Sequence, residues 1–201
     1  VEYMAVPRML ALAEVLWTPK ERRDEVDFIR RLEAEFPKLD AMKVNASRSL
    51  YQVSVNPSQG PALGTINVRL TSSTDGNIAS QKYGSPDWLG YTTPLLFDQD
   101  FSLRARLEKD GVSGPVSERQ FRFNMATAQK ITTDPPPAER YSEGGSFTLV
   151  DGITAQEKRV NTEWLGWLKD VTITVDLGSE QDINYIGIGA LNETYSWIHL
   201  P

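Results

Sequence analysis

The sequence predicts a mainly β protein with an N-terminal helical segment: a β-sandwich, followed by a second β unit that is begun but not closed. Three observations carry this. Apolar residues recur at helical spacing only before about residue 44; beyond it the pattern turns to alternation; and Gly- and Pro-rich stretches break the alternating runs at short intervals. With 201 residues, 40% of them hydrophobic, the chain is long enough for one large or two ordinary packed domains.

The first segment, "VPRMLALAEVLWTP" at residues 6–19, is apolar on nearly every face. A helix of that kind has to be covered all round. The chain begins at Val1 rather than a methionine, so the expectation is a piece of a larger protein whose remainder surrounded this helix. In "TPKERRDEVDFIRRLEAEFP", Thr18 is expected to cap a second helix, with Pro19 in its first position and Glu21 completing a capping box. Val26, Ile29, Leu32 and Phe36 give it an apolar stripe, and Pro37 is expected to end it. The opposite face carries Arg22, Arg23, Arg30 and Arg31 among Glu25, Asp27 and Glu33, the mixture of a solvated surface. The adjacent acids Asp24 and Glu25 share that face and read as solvated too.

Residues 44–126 hold the runs "LYQVSV", "TINVRLTS", "FSLRARLE" and "RQFRFNM", separated by "NPSQGPALG", "TDGN", "YGSPDWLG" and "KDGVSGP". Strands so spaced bury one face each against a second sheet. Trp88 and Tyr91, beside Pro86, are an exposed aromatic pair expected at a contact between domains, with a ligand site as the alternative. The prolines of "TTDPPPAER" cannot donate ladder hydrogen bonds and mark a joint. Beyond it, "FTLVDGI", "WLGWLKD", "VTITVDLG", "INYIGIGAL" and "SWIHLP" look like further strands. Val171, Ile173 and Val175 alternate with Thr172, Thr174 and Asp176, a strand with one buried face. A sheet left incomplete has open edges, so self-association through the C-terminal sheet, or a disordered or rearranged C-terminal region, is expected.

Composition removes several functions. With 21 Lys and Arg against 27 Asp and Glu the formal net charge is -6, which argues against a nucleic-acid partner. No run approaches the ~18 apolar residues of a membrane span. The chain has no cysteine, which excludes disulfides and thiol catalysis, and its one histidine, His199, makes a Ser-His-Asp triad or a His-rich zinc site implausible.

The residues Tyr3, Met4, Pro7, Arg8, Ala11, Leu12, Ala13, Glu14 and Trp17, in "EYMAVPRMLALAEVLWTP", resemble the end of the catalytic barrel of glycoside hydrolase family 20, the β-N-acetylhexosaminidases. The resemblance implies that residues 1–43 are the helical tail of a (β/α)8 barrel, with Arg8 and Glu14 in buried polar contacts and Trp17 in the packing that closes it. It implies that the parent hydrolyses terminal β-linked N-acetylglucosamine or N-acetylgalactosamine by substrate-assisted catalysis, using an Asp-Glu pair upstream of this segment, so that no catalytic residue or catalytic cofactor belongs to this chain.

The stretches "TDGNIAS" and "YTTPLLFDQDFSLRARLEKDGVSGP" make residues 44–126 similar to the small immunoglobulin/fibronectin-like sandwich that follows the barrel in bacterial hexosaminidases, chiefly a spacer. The residues of "GGSFTLVDGI", Trp164-Leu165-Gly166-Trp167, "DVTITVDLG" and "SWIHLP" make 127–201 resemble the first half of a discoidin, or coagulation-factor type C, jelly roll, related to family 32 carbohydrate-binding modules. This resemblance implies a structural calcium site, for which Asp151, Asn161 and Thr162 are the available oxygen donors, with a metal-free turn as the alternative. It also implies partners among glycans bearing N-acetylhexosamine. Trp164, Trp167, Tyr195, Trp197 and His199 are the candidate sugar contacts, each weighed against plain core packing. By the same analogy the protein works in the periplasm or at the surface of a bacterium. The competing reading is a non-catalytic glycan-binding or spacer module.

Overall fold

A computed structural model of the chain describes residues 2–82, 84–156 and 160–192. It is mainly β, with a helical N-terminus and several antiparallel sheets.

Helix α1 (Glu2–Ala5) leads into α2 (Arg8–Trp17), which stops at Thr18, whose backbone N–H still donates to the Glu14 carbonyl. Thr18 therefore ends one helix instead of starting the next. Pro19 is extended, Lys20–Arg22 form one 3-10 turn, and α3 (Glu25–Ala41) begins after Asp24, whose side chain accepts the Asp27 N–H at 3.1 Å. Aspartate is as good a cap as threonine, and here it sits next to the turn. Pro37 does not end α3, which runs another turn past it. The missing N–H and the clash with the preceding turn are offset by what that turn holds: Phe36 is buried, the Arg48 guanidinium lies 4.0 Å over its ring, and Arg48 pairs with Asp40.

The sandwich comprises β1 (Ser54–Gln59), β2 (Ile66–Thr71), β3 (Asn77–Lys82), β4 (Leu89–Gly90), β5 (Leu95–Phe97), β6 (Phe101–Lys109), β7 (Val112–Ser113) and β8 (Ser117–Phe121). One sheet has the order β1-β2-β5; in the other β4, β3 and β6 follow in order, and both β7 and β8 pair with β6. All pairs are antiparallel. Along β6 the residues Phe101, Leu103, Ala105 and Leu107 face inward with at most 6% exposure, while Ser102, Arg104, Arg106 and Glu108 face out. From the other sheet Ile66, Val68 and Leu70 meet them, and Phe97, Phe101 and Phe121 stack in series through the core. Asp110 and Gly111 carry φ of 51° and 77°, the left-handed pair that a two-residue hairpin needs between β6 and β7.

The strand boundaries depart from the alternating runs. Ser49–Tyr51 form a 3-10 turn, and β1 pairs only from Ser54 but continues through Pro57. Proline is tolerated there because β1 lies at a sheet edge.

Beyond the sandwich, β9 (Lys130–Asp134) runs into the first three residues of the stretch expected as a joint and pairs antiparallel with β10 (Thr172–Asp176), setting Lys130 opposite Asp176. The "FTLVDGI" run opens in a 3-10 turn over Ser146–Leu149 and continues without forming a strand, and "WLGWLKD" is an irregular loop after the short α4 (Val160–Glu163). Residues 183–191 form no strand, and Ile183, Tyr185, Ile186 and Ile188 are exposed. The "SWIHLP" run, with Tyr195, Trp197 and His199, lies outside the described residues.

Contacts cross both expected boundaries. Glu33 on α3 takes the Lys109 ammonium on its two oxygens at 2.7 and 2.8 Å and the Thr74 hydroxyl at 2.8 Å, pinning the helix to the sandwich. Ala128 has no exposed surface within the sandwich core, and Phe147 and Ile153 pack against that core. Among the described residues no helix is long and apolar enough to cross a membrane.

Candidate functional site

The helical hairpin holds the densest polar network of the described residues. The Glu14 carboxylate accepts the Arg31 guanidinium at 2.9 Å and the Thr18 hydroxyl at 3.1 Å, and Arg31 reaches on to Asp27 at 2.8 Å. The Arg31 hydrogen bond is the main reason the Glu14 carboxyl lies below its ordinary value; Asp27 is lowered likewise, by Arg30 and then Arg31. Arg23 closes the end of α2, donating to the Val15 and Thr18 carbonyls at 2.7 and 3.1 Å. Arg8 takes no part: it is exposed and donates back to the Met4 carbonyl at 2.7 Å.

The other side of α2 is apolar and open. Met9, Leu12, Val15 and Leu16 are 49–72% exposed, and Trp17, at 87%, overhangs a groove between α2 and α3 lined also by Leu10, Ala13, Glu14, Phe28 and Arg31. Only the α3 side is packed, through Leu32 and Phe36 with Val6, Leu10 and Phe28. Trp17→Ala is expected to change the stability of this chain by no more than ~0.5 kcal/mol, whereas Phe36→Ala should cost ~3–5 kcal/mol. Urea unfolding curves of the two variants decide it, and equal losses would contradict the assignment.

In the C-terminal unit, Trp164 and Trp167 are half-buried, and each indole N–H is committed to a backbone carbonyl: Trp164 to Gln156 at 2.9 Å and Trp167 to Pro135 at 3.0 Å. Beside the second anchor, Gly166 packs so closely on Tyr141 that a Cβ there would lie 3.0 Å from it. Asp151 is buried, with 8% exposure, and its Oδ1 accepts the Ile153 N–H at 2.8 Å. Burial, with a smaller push from the charge of Glu163, raises its carboxyl to about 7. Gly152 follows with φ 76°, and a side chain at that position would lie 3.1 Å from the Arg122 carbonyl, so the turn requires glycine.

The donors suggested for calcium are spread over that turn and α4: Asp151 is buried, Thr162 is exposed and Asn161 lies in α4. Calcium takes six to eight oxygens and favours ionised carboxylates. Among the described residues no group of three or more acidic, imidazole or thiol side chains is placed to hold a metal ion.

Over 134 residues, 62% of this chain, the sequence is 46% identical to a Beta-hexosaminidase of Porphyromonas gingivalis. The chain spans only 17% of that relative's length. It matches no protein-family model.

The aromatic pair of the sandwich turns out to serve the sandwich itself. The Tyr91 hydroxyl accepts the Leu70 N–H at 3.0 Å while its ring packs on the core, and Trp88 covers the outer face of β6 with the Arg106 guanidinium 4.1 Å from its ring. Three residues that no motif singled out hold the architecture together: Lys109, whose pairing with Glu33 raises its ammonium above the ordinary value; Arg119, which reaches Glu163 at 3.4 Å; and Arg48. Their signal in the sequence is faint, because each is an ordinary basic residue until folding supplies its acid.

Proposed function

We propose that this chain is an accessory C-terminal region of a β-N-acetylhexosaminidase that removes terminal β-linked N-acetylglucosamine or N-acetylgalactosamine from glycans. The observation that carries the reading is the 46% identity to a protein named Beta-hexosaminidase, over a segment that is a small part of that relative. In this reading residues 1–43 are the tail of a family 20 barrel, 44–126 a sandwich that braces it, and 127–201 the first half of a discoidin-like unit. The open apolar side of α2 fits a helix that the rest of a barrel packs against, and the exposed Arg8 and Trp17 then lie at that junction while Glu14 ties α2 to α3. The general acid and the residue orienting the acetamido group belong to sequence outside this chain. By the same analogy the parent acts outside the cytoplasm.

The test is hydrolysis of a chromogenic β-N-acetylglucosaminide and its galactosamine counterpart. This chain alone is expected to release no more chromophore than a blank, while a longer polypeptide that adds the barrel upstream of Val1 turns both substrates over. Turnover by the chain alone, or none by the longer polypeptide, overturns the reading. Binding of the isolated chain to N-acetylhexosamine glycans on an array would favour the non-catalytic module instead.

A further inference from the structure

We propose that β9 is a docking edge for a second copy of this chain, the two β9 strands pairing antiparallel about a two-fold axis at Thr132. The argument is independent of the glycosidase reading. β9 and β10 form a sheet of only two strands, which is marginal by itself in water. Among the described residues, no backbone hydrogen bond joins any residue of β9 or β10 to an element outside the pair, so both outer edges present unpaired N–H and C=O groups. Such an edge is a template for another strand.

The sequence of β9, Lys130-Ile131-Thr132-Thr133-Asp134, selects the edge and the register. Antiparallel pairing centred on Thr132 sets Lys130 of one copy opposite Asp134 of the other, twice. Lys130, Thr132 and Asp134 are exposed and share a face, while Thr133 on the other face meets Ser146. Because β10 already sets Asp176 beside Lys130, Thr174 beside Thr132 and Thr172 beside Asp134, each outer row of the resulting four-stranded sheet reads Asp176, Lys130, Asp134, Thr172, and a threonine ladder runs through its centre. Opposed opposite charges and threonine pairs both favour cross-strand association. Self-pairing of β10 about Thr174 would set Asp176 against Thr172 and gain no charge pair.

Sedimentation velocity over a concentration series tests this. The native chain should dimerise, less so at high salt as the charge pairs are screened. Lys130→Asp and Asp134→Lys each set like charges opposite one another in a homodimer and should weaken dimerisation about tenfold or more, with unchanged circular dichroism. Mixing the two variants restores complementarity, so a heterodimer should form. A native chain that stays monomeric, including one in which residues 177–192 fold back onto β9 and protect its amides, overturns the proposal. So do single variants that dimerise like the native chain, or a mixture that stays monomeric.

Discussion

Phe121→Ala is expected to destabilise the chain by ~3–5 kcal/mol, the usual cost of emptying an aromatic site in a packed core. Phe121 has no exposed surface, stacks on Phe101 with 4.3 Å between ring centroids, and stands opposite it across the β6–β8 ladder. Phe101 lies on β6, a strand already paired on both sides, so the site has little freedom to collapse. The loss is a large part of the ~5–15 kcal/mol that holds a typical domain together. Thermal unfolding followed by far-ultraviolet circular dichroism reads it directly. A loss below ~1 kcal/mol would mean that the sheets are not packed around this ring.

The second large effect is tied to pH. In the unfolded chain the Asp151 carboxyl has an ordinary value near 3.8; in the fold burial raises it to about 7. Between those values the native state keeps a proton that the unfolded state has released, so stability falls as pH rises through that window, and the full penalty remains above it. Each pH unit separating the two values corresponds to ~1.4 kcal/mol, which makes the total a few kcal/mol. Asp151→Asn keeps an oxygen able to accept the Ile153 N–H and removes the titration. Its melting temperature should exceed that of the native chain at pH 8 and approach it near pH 4, and its stability should vary less between pH 5 and 7. A variant whose stability tracks the native chain at every pH would show that Asp151 ionises without cost.

The fold is legible where one face of an element is buried and the other wet. β6 alternates cleanly, and its inward Phe101, Leu103, Ala105 and Leu107 can be read off directly. β3 cannot: Ala79, Ser80 and Gln81 are all buried, both faces are covered, and small or polar side chains carry no period. The start of α3 falls at Asp24 and not at Thr18 because both are competent caps, and only the packing of Val6, Leu10 and Phe28 on Leu32 and Phe36 settles where the chain turns. Pro37 misleads for a similar reason, since tertiary contacts outweigh its local cost. In the candidate site, the apolar character of α2 is evident, but the partner of Glu14 is not: Arg31 lies 17 residues away and is reached only through the hairpin. The indole anchors of Trp164 and Trp167 are backbone carbonyls, which no residue pattern announces.

The weave around residue 126 bears on how such a protein diversifies. The Ala128 N–H donates to the Val150 carbonyl and the Arg122 N–H to the Gly152 carbonyl, both at 2.8 Å, so the chain leaving the sandwich is stitched back into it by the segment at Val150–Gly152. Recombination that swaps the middle unit as a cassette, cutting where the prolines invite it, would carry off half of a seam and leave the donor and the recipient each with an unsealed side. Exchange that keeps the seam whole must bring Ala128, Val150 and Gly152 along, which makes the sandwich and the first part of the C-terminal unit one exchangeable piece.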